Sequence, residues 1–303
     1  MDTKALLASL ATEQVNSRSE RLDQMTSLEI ATLMNDVTAD VTAGIEKALP
    51  EIARAIDGIV ARMKRGGRLI YMGAGTSGRL GVLNASECPP TFGVEPELVQ
   101  GIMAGGDRAL RSAVECAEDS AELPVEDLKA RNLSEKDAVV AISASGYAPY
   151  CVAALKYARS VGALAIALSC NAGAQTSREA DIAIEAPTGS EVLSGSTRLK
   201  AGTATKLILN MLSTASMVQM GKCYKNLMVD VKATNVKLRD RSIRITMNAT
   251  GLDREAAQKL YEEAGGIKTA IVMHETGATR ALAEAALEEN DGYVRAAIAS
   301  LAR

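Results

Sequence analysis

Two periods of apolar spacing divide this chain, and the points where one gives way to the other mark its expected architecture. Over residues 1–66 apolar side chains recur every three or four positions, at Leu28, Ile30 and Leu33 and then at Val41, Ile45, Leu49, Ile52, Ile56 and Ile59. That spacing predicts helices and leaves no room for strand-like alternation. From residue 67 to about 185 short apolar runs alternate with helical stretches, the runs covering 68–72, 98–103, 137–143, 163–169 and 181–185. Such runs read as strands buried on both faces, and the alternation predicts an α/β fold with a doubly wound, mainly parallel sheet. A long helix is expected from about Ala201 to Met220. Beyond Arg239, helix-length pieces are punctuated by Gly251, Gly265-Gly266, Gly277 and Gly292, which predicts a small all-helical module. Its apolar face is read at Ala256, Ala257 and Leu260, then at Ala281, Leu282, Ala285 and Leu287. The expected division is an N-terminal helical segment over 1–58, a sheet domain over 59–222, and a linker helix with a C-terminal helical domain over 223–303.

Ligands of parallel sheets sit beyond the carboxyl ends of the strands, so the loops after these runs carry the functional expectations. After the first run comes Gly73-Ala-Gly-Thr-Ser-Gly78, whose glycines permit a tight turn with exposed amides and whose Thr76 and Ser77 add hydroxyls at a helix start. This is a phosphate cradle. It also reads Gly-x-Gly-x-x-Gly, but the acidic residue that a dinucleotide ribose needs some 20 positions on is missing, since the next run, Leu98-Val-Gln-Gly-Ile-Met103, meets no carboxylate until Asp107. A sugar phosphate is the better reading. Ser143, Ser145 and Gly146 follow the third run, Ser169-Cys-Asn171 the fourth, and Ser196 and Thr197 stand with Arg198 and Lys200 before the long helix. These serines can cap helices as well as bind an anion, and the two roles are compatible.

Composition narrows the classes. With 34 basic against 37 acidic residues, net charge -3 and 3% aromatic residues, the chain lacks the charge surplus and stacking platforms of a nucleic-acid binder. No apolar run reaches membrane-spanning length and the opening segment has an acid where a secretory signal wants basic charge, so a cytoplasmic address with no membrane partner is expected. The five cysteines are scattered without Cys-x-x-Cys spacing and the single histidine, His274, lies far from the glycine-rich loops. Neither a disulfide frame, a metal centre nor a Ser-His-Asp triad is suggested. Cys88 adjoins Glu87, but without a nearby histidine it reads as structural.

With those residues in hand, the chain resembles the N-acetylmuramic acid 6-phosphate etherases, members of the sugar isomerase (SIS) superfamily. The resemblance is nearly full-length. It rests on Gly73-Ala-Gly-Thr-Ser-Gly-Arg-Leu-Gly81, Ala85-Ser-Glu-Cys-Pro-Pro-Thr91, Ala117-Glu-Asp119, Gly195-Ser-Thr-Arg198, Lys200-Ala-Gly-Thr203, Asn226-Leu-Met-Val-Asp230 and Ala233-Thr-Asn235. It implies an SIS fold with a helical C-terminal module similar to a ubiquitin-associated domain, a homodimer, and no cofactor or metal. It also implies two catalytic glutamates, Glu87 as acid and Glu118 as base, with Gly75, Thr76, Ser77, Ser143, Ser145, Gly146, Ser196, Thr197 and Lys200 toward substrate and phosphate. Departures from the family pattern stand at Asn84, Cys116 and Tyr147, the last where an Arg is expected.

The implied substrate carries D-lactate as an ether on C3 of an N-acetylated sugar phosphate. Opening the ring acidifies the C2 proton, lactate leaves C3 by β-elimination, and water adds back. One carboxylate takes the C2 proton and an acid protonates the departing oxygen, positioned groups that typically contribute about 10²–10⁴-fold each. An acid at Glu87 needs its carboxyl raised, by burial near Pro89-Pro90-Thr91-Phe92 or by the substrate's own carboxylate. On composition alone a helical glutamate is a solvated surface charge, and a sugar-phosphate isomerase or a non-catalytic sugar-phosphate sensor would share the phosphate loops. The isomerase would expel no lactate.

Overall fold

The computed structural model describes residues 8–112, 114, 116–231, 233 and 235–302. Thr234 of the Ala233-Thr-Asn235 motif and the opening Met1–Leu7 lie outside them. By their internal contacts the residues form two units, the first of residues 1–86 and 96–213, the second of 87–95 and 214–303.

The first unit is built on five parallel strands, β1 (Leu69–Gly73), β2 (Val99–Met103), β3 (Ala138–Ile142), β4 (Leu164–Ser169) and β5 (Ile182–Glu185), in the order β2-β1-β3-β4-β5. Each falls within one residue of its expected run at either end. β1, β3 and β4 are buried at every position, which is why their sequences show continuous apolar character and no alternation. The order reverses at β1 and β3, so the crevice outside their carboxyl ends is the expected ligand position. Their amino ends are tied by Asp137, whose carboxylate accepts from Arg68 N at 2.9 Å, from Arg68 Nη2 at 2.8 Å and from Ser134 N at 2.9 Å. Burial alone would raise the Asp137 carboxyl, but the hydrogen bonds from Arg68 and Ser134 and the guanidinium charge outweigh it and hold the group below the usual carboxylate range.

The helix Thr38–Met63 buries Val41, Ile45, Ile52, Ile56 and Ile59 as expected and packs against β5 and β4, whereas Leu49, expected on the same face, is 46% exposed and Ala48 is buried beside it. Two further expectations for the amino-terminal region need correction. Residues 11–24 form three short 3₁₀ turns, Ala11–Glu13, Ser17–Ser19 and Leu22–Gln24, in place of a helix. The next helix, Ser27–Asp36, buries no residue, and Leu28 on its predicted inner face is 77% exposed. A Thr26–Glu29 capping box secures that helix locally, so its apolar spacing does not report burial.

The second unit contains a two-stranded hairpin, β6 (Cys223–Tyr224) with β7 (Leu227–Met228), and the helices Val236–Thr250, Arg254–Ala264, Ile267–Thr276, Arg280–Glu289 and Val294–Leu301. Gly251, Gly265 and Gly277 each follow a helix end in the left-handed conformation, with φ of 78°, 74° and 70°. In Arg280–Glu289 the buried face is Ala283, Ala286 and Leu287, while Leu282 is 55% exposed. The alanine-rich sequence offers two adjacent helical faces that share Leu287, and packing in one cluster with Ile271, Val272, Val294 and Ala297 buries Ala283 and Ala286 instead of the expected Ala281, Leu282 and Ala285. His274 is exposed in the last turn of Ile267–Thr276. No helix among the described residues is long and apolar enough to cross a membrane.

Candidate active site

β1 ends at Gly73 and the helix Gly75–Ser86 begins two residues later. So sharp a turn brings the first helical turn onto the strand end. A Cβ on Gly78 would stand 2.3 Å from Gly73 O, and Gly75 has φ of 52°. The glycines thus let the helix start abut the sheet, and the first-turn amides with the Thr76 and Ser77 hydroxyls open onto the crevice beyond β1.

There a cavity of about 220 Å³ is lined by Gly75, Thr76 and Ser77 on one side and by Ser143 and Ser145 after β3 on another. Thr197, Gly202 and Thr205 complete the hydroxyl-rich wall, and Glu118 and Glu13 place two carboxylates on it. The two serines also fix their own loop. Ser143 Oγ accepts from Gly146 N at 3.1 Å and lies 3.2 Å from Ser145 Oγ, which accepts from Tyr147 N at 3.2 Å. Capping and cavity lining coincide in these residues.

Glu118 is held through its backbone, whose carbonyl accepts from Tyr150 N at 3.0 Å. Desolvation raises its carboxyl above the ordinary glutamate value, and repulsion from Asp119 adds to the effect. The residue as a whole is exposed, and the desolvation arises where its carboxyl meets the protein atoms of the cavity wall. Beside it, the fully buried Cys151 has its thiol pushed up to about 12, by burial first and by the Glu118 charge second.

Other predicted positions stand elsewhere. Lys200 is 5% exposed, and its Nζ donates to Thr188 O at 2.7 Å and to Asp40 Oδ2 at 2.8 Å. Its ammonium is therefore engaged away from the cavity. The amides of Lys200 and Ala201 donate to the buried Glu191 carboxylate at 2.9 and 3.0 Å, so an internal anion already occupies this helix start. Gly146 and Ser196 do not line the cavity, and a Cβ on Gly146 would meet Ala174 Cβ at 2.3 Å. Arg198 lines a separate small cavity with Met34 and Leu199.

Glu87 follows the last residue of Gly75–Ser86, precedes the short helix Cys88–Phe92, and is grouped by its contacts with the second unit. It is exposed, so the expected burial against Pro89–Phe92 is not found. The adjoining Cys88 is buried, and its thiol is pushed up to about 11 by burial and then by the Glu87 charge. Asn84 donates through Nδ2 to Asn210 Oδ1 at 3.3 Å.

Sequence reasoning missed Glu13. It belongs to the turn Ala11–Glu13, whose middle residue Thr12 is fully buried and bonded to Asn171 just after β4. A short polar segment with no periodicity gave no signal beyond the hydroxyl-rich Ser169-Cys-Asn171 loop.

Comparison with known proteins places the chain in a family. The family model described as "Glucokinase regulatory protein N-terminal SIS domain" matches residues 51–159, and that described as "SIS domain" matches residues 122–215. The N-acetylmuramic acid 6-phosphate etherase of Geobacillus sp. (strain WCH70) is 51% identical over 97% of this chain and 100% of its own length. That of Halalkalibacterium halodurans is 52% identical over 98% of this chain and 100% of its own, and that of Streptomyces avermitilis 51% identical over 99% and 97%. Among solved structures, a phosphoheptose isomerase from Francisella tularensis superposes with a TM-score of 0.51 at 19% identity, over 64% of this chain and 100% of its own, a likeness of fold.

Proposed function

The chain belongs to the N-acetylmuramic acid 6-phosphate etherase family, and from that membership we propose how its residues carry out the reaction. It is a carbon–oxygen lyase that cleaves the lactyl ether of N-acetylmuramic acid 6-phosphate, giving N-acetylglucosamine 6-phosphate and D-lactate. In the reading advanced here, the phosphate is held by the amides and hydroxyls of Gly75, Thr76 and Ser77, with Ser143, Ser145 and Thr197 around it. Positive potential at that end comes from the helix start, since no Lys or Arg is among the lining residues described.

With the sugar ring open, Glu118 takes the C2 proton. The electron pair forms the C2–C3 double bond and expels the lactyl oxygen from C3, which receives a proton from Glu87. Water then adds to C3, giving up a proton to Glu87, and Glu118 returns its proton to C2. A carboxylate whose affinity for protons is raised by desolvation is a stronger base than a free glutamate, which supports Glu118 in this role. Glu87 is carried by its place in Ala85-Ser-Glu-Cys-Pro-Pro-Thr91. Gly146, Ser196 and Lys200 support the loops around the cavity in this reading, and the homodimer and cytoplasmic address implied by the family belong to it, as does the division at residues 58 and 222.

The single observation that carries the assignment is Glu118 on the same cavity as the Gly75–Ser77 helix start. The test is D-lactate release from N-acetylmuramic acid 6-phosphate together with C2 proton exchange in heavy water. Glu118→Gln is expected to abolish both while retaining phosphosugar binding; Glu87→Ala is expected to lose lactate release and keep some exchange. Normal exchange in Glu118→Gln removes it from the base role.

A further inference from the structure

A second cavity, of about 400 Å³, adjoins the first, because Glu13, Glu118, Ser145 and Ala148 line both. Its own wall is of two kinds. Ala8, Leu10 and Pro149 supply alkyl surface with Tyr147 beside them, while Asp119 joins Glu13 and Glu118 as a third carboxylate. Such a lining repels an anion, and it offers acceptor oxygens next to apolar surface.

The chemistry of the substrate decides what this lining suits. C2 bears both the proton that Glu118 removes and the acetamido group, so a sugar seated with C2 at Glu118 presents that group to the surroundings of Glu118. An acetamido group is neutral, with one N–H donor and one methyl. The lactyl group on C3 ends in a carboxylate, which three carboxylates exclude. We propose that the second cavity is the acyl-amide subsite, in which Glu13 accepts the hydrogen bond of the substrate's amide N–H and Leu10 with Pro149 packs against its methyl. This rests on the reading of Glu118 as the C2 base.

The fold holds Glu13 where such a contact needs it. Thr12 is fully buried and Asn171 is 2% exposed, joined by bonds of 2.9 and 3.3 Å, and Asn171 Nδ2 also donates to Ala144 O at 3.1 Å, beside Ser145. Asn16, 4% exposed, donates to Ser190 O at 3.2 Å. Glu13 N donates to Leu10 O at 3.0 Å, which closes the turn that carries both residues. The segment 8–16 is thus fastened on each side of Glu13, and a specificity residue gains from such a fixed backbone.

The experiment measures binding of N-acetylglucosamine 6-phosphate, its N-propionyl homologue and 2-deoxyglucose 6-phosphate by calorimetry, with D-lactate release followed in parallel. Glu13→Ala is expected to weaken the N-acetyl ligand about tenfold, the worth of one hydrogen bond to a charged group. It should leave 2-deoxyglucose 6-phosphate, which carries no donor at C2, unchanged, and Glu13→Gln should restore part of the loss. Leu10→Ala is expected to shift preference toward the N-propionyl ligand by about tenfold, the scale of one methylene in an apolar pocket. Equal weakening of the N-acetyl and 2-deoxy ligands in Glu13→Ala, with wild-type acyl preference in Leu10→Ala, overturns the subsite. Loss of lactate release by the wild-type protein with acyl-selective binding intact would instead remove the reaction and leave the subsite standing.

Discussion

Asn171 grips Thr12 at two points, its side-chain Nδ2 donating to Thr12 Oγ1 at 2.9 Å and its side-chain Oδ1 accepting from Thr12 N at 3.3 Å, across 159 residues of sequence. A residue at the carboxyl end of β4 thereby fixes the turn that brings Glu13 to the cavity. Cutting this link leaves a buried amide and hydroxyl without their partner.

Asn171→Ala is expected to lower stability by about 1–3 kcal/mol, the cost of unsatisfied buried groups. It should also raise KM for the phosphosugar more than it lowers kcat, because Glu13 loses its fixed position while Glu118 keeps its own anchor. Denaturant unfolding and steady-state kinetics on one preparation check this. A fall in stability with KM unmoved would make the link structural alone.

The acid limb of the pH profile is expected above the ordinary glutamate value of 4.5, because desolvation and then Asp119 raise the Glu118 carboxyl. A base works when ionised, so kcat/KM should rise with pH through that limb. In Asp119→Asn the repulsion disappears, and the limb should move to lower pH with turnover retained. A limb that stays in place would detach Asp119 from Glu118.

Gly78→Ala tests the contact between the helix start and β1. An added Cβ would stand 2.3 Å from Gly73 O, a backbone atom that cannot step aside without moving the strand end. Overpacking of this kind costs about 1–3 kcal/mol. Thermal melting should show the loss, and phosphosugar affinity should fall with it because the displaced amides are those proposed to hold the phosphate.

Asp137 carries a pH-dependent share of stability. Its folded-state carboxyl is held below the ordinary 3.8, so the stabilisation is fully present above that value and is lost as pH falls through the folded value. Its side chain is 2% exposed against Arg68. Asp137→Asn is expected to cost about 3–5 kcal/mol at neutral pH, as when a buried pair loses one partner. The gap to wild type in urea unfolding should close below about pH 4, where free aspartate protonates.

The sheet was legible because β1, β3 and β4 are buried on both faces and write that burial as unbroken apolar runs. The glycine turn after β1 was legible for a related reason, since Gly75 and Gly78 answer to local steric demands. Elsewhere the deciding partner lies far along the chain. Lys200 beside Gly195-Ser-Thr197 reads as an anion ligand until Asp40, 160 residues away, takes its ammonium. Leu28 and its neighbours show helical spacing whether or not anything covers them, and the capping box at Thr26 stabilises that helix regardless. Glu13 sits in a polar turn placed by Asn171, a pairing that no local pattern announces.

The buried thiols decide how the protein meets oxidants and alkylating reagents. Cys151 and Cys170 are pushed up to about 12 and Cys88 to about 11, so at neutral pH each remains a thiol screened from solvent, a form that neither peroxide nor iodoacetamide attacks readily. Cys116, by contrast, is exposed two positions before Glu118. A maleimide probe would mark it ahead of the buried thiols, giving a fluorescent or spin reporter two residues from Glu118 in the chain without any engineered cysteine.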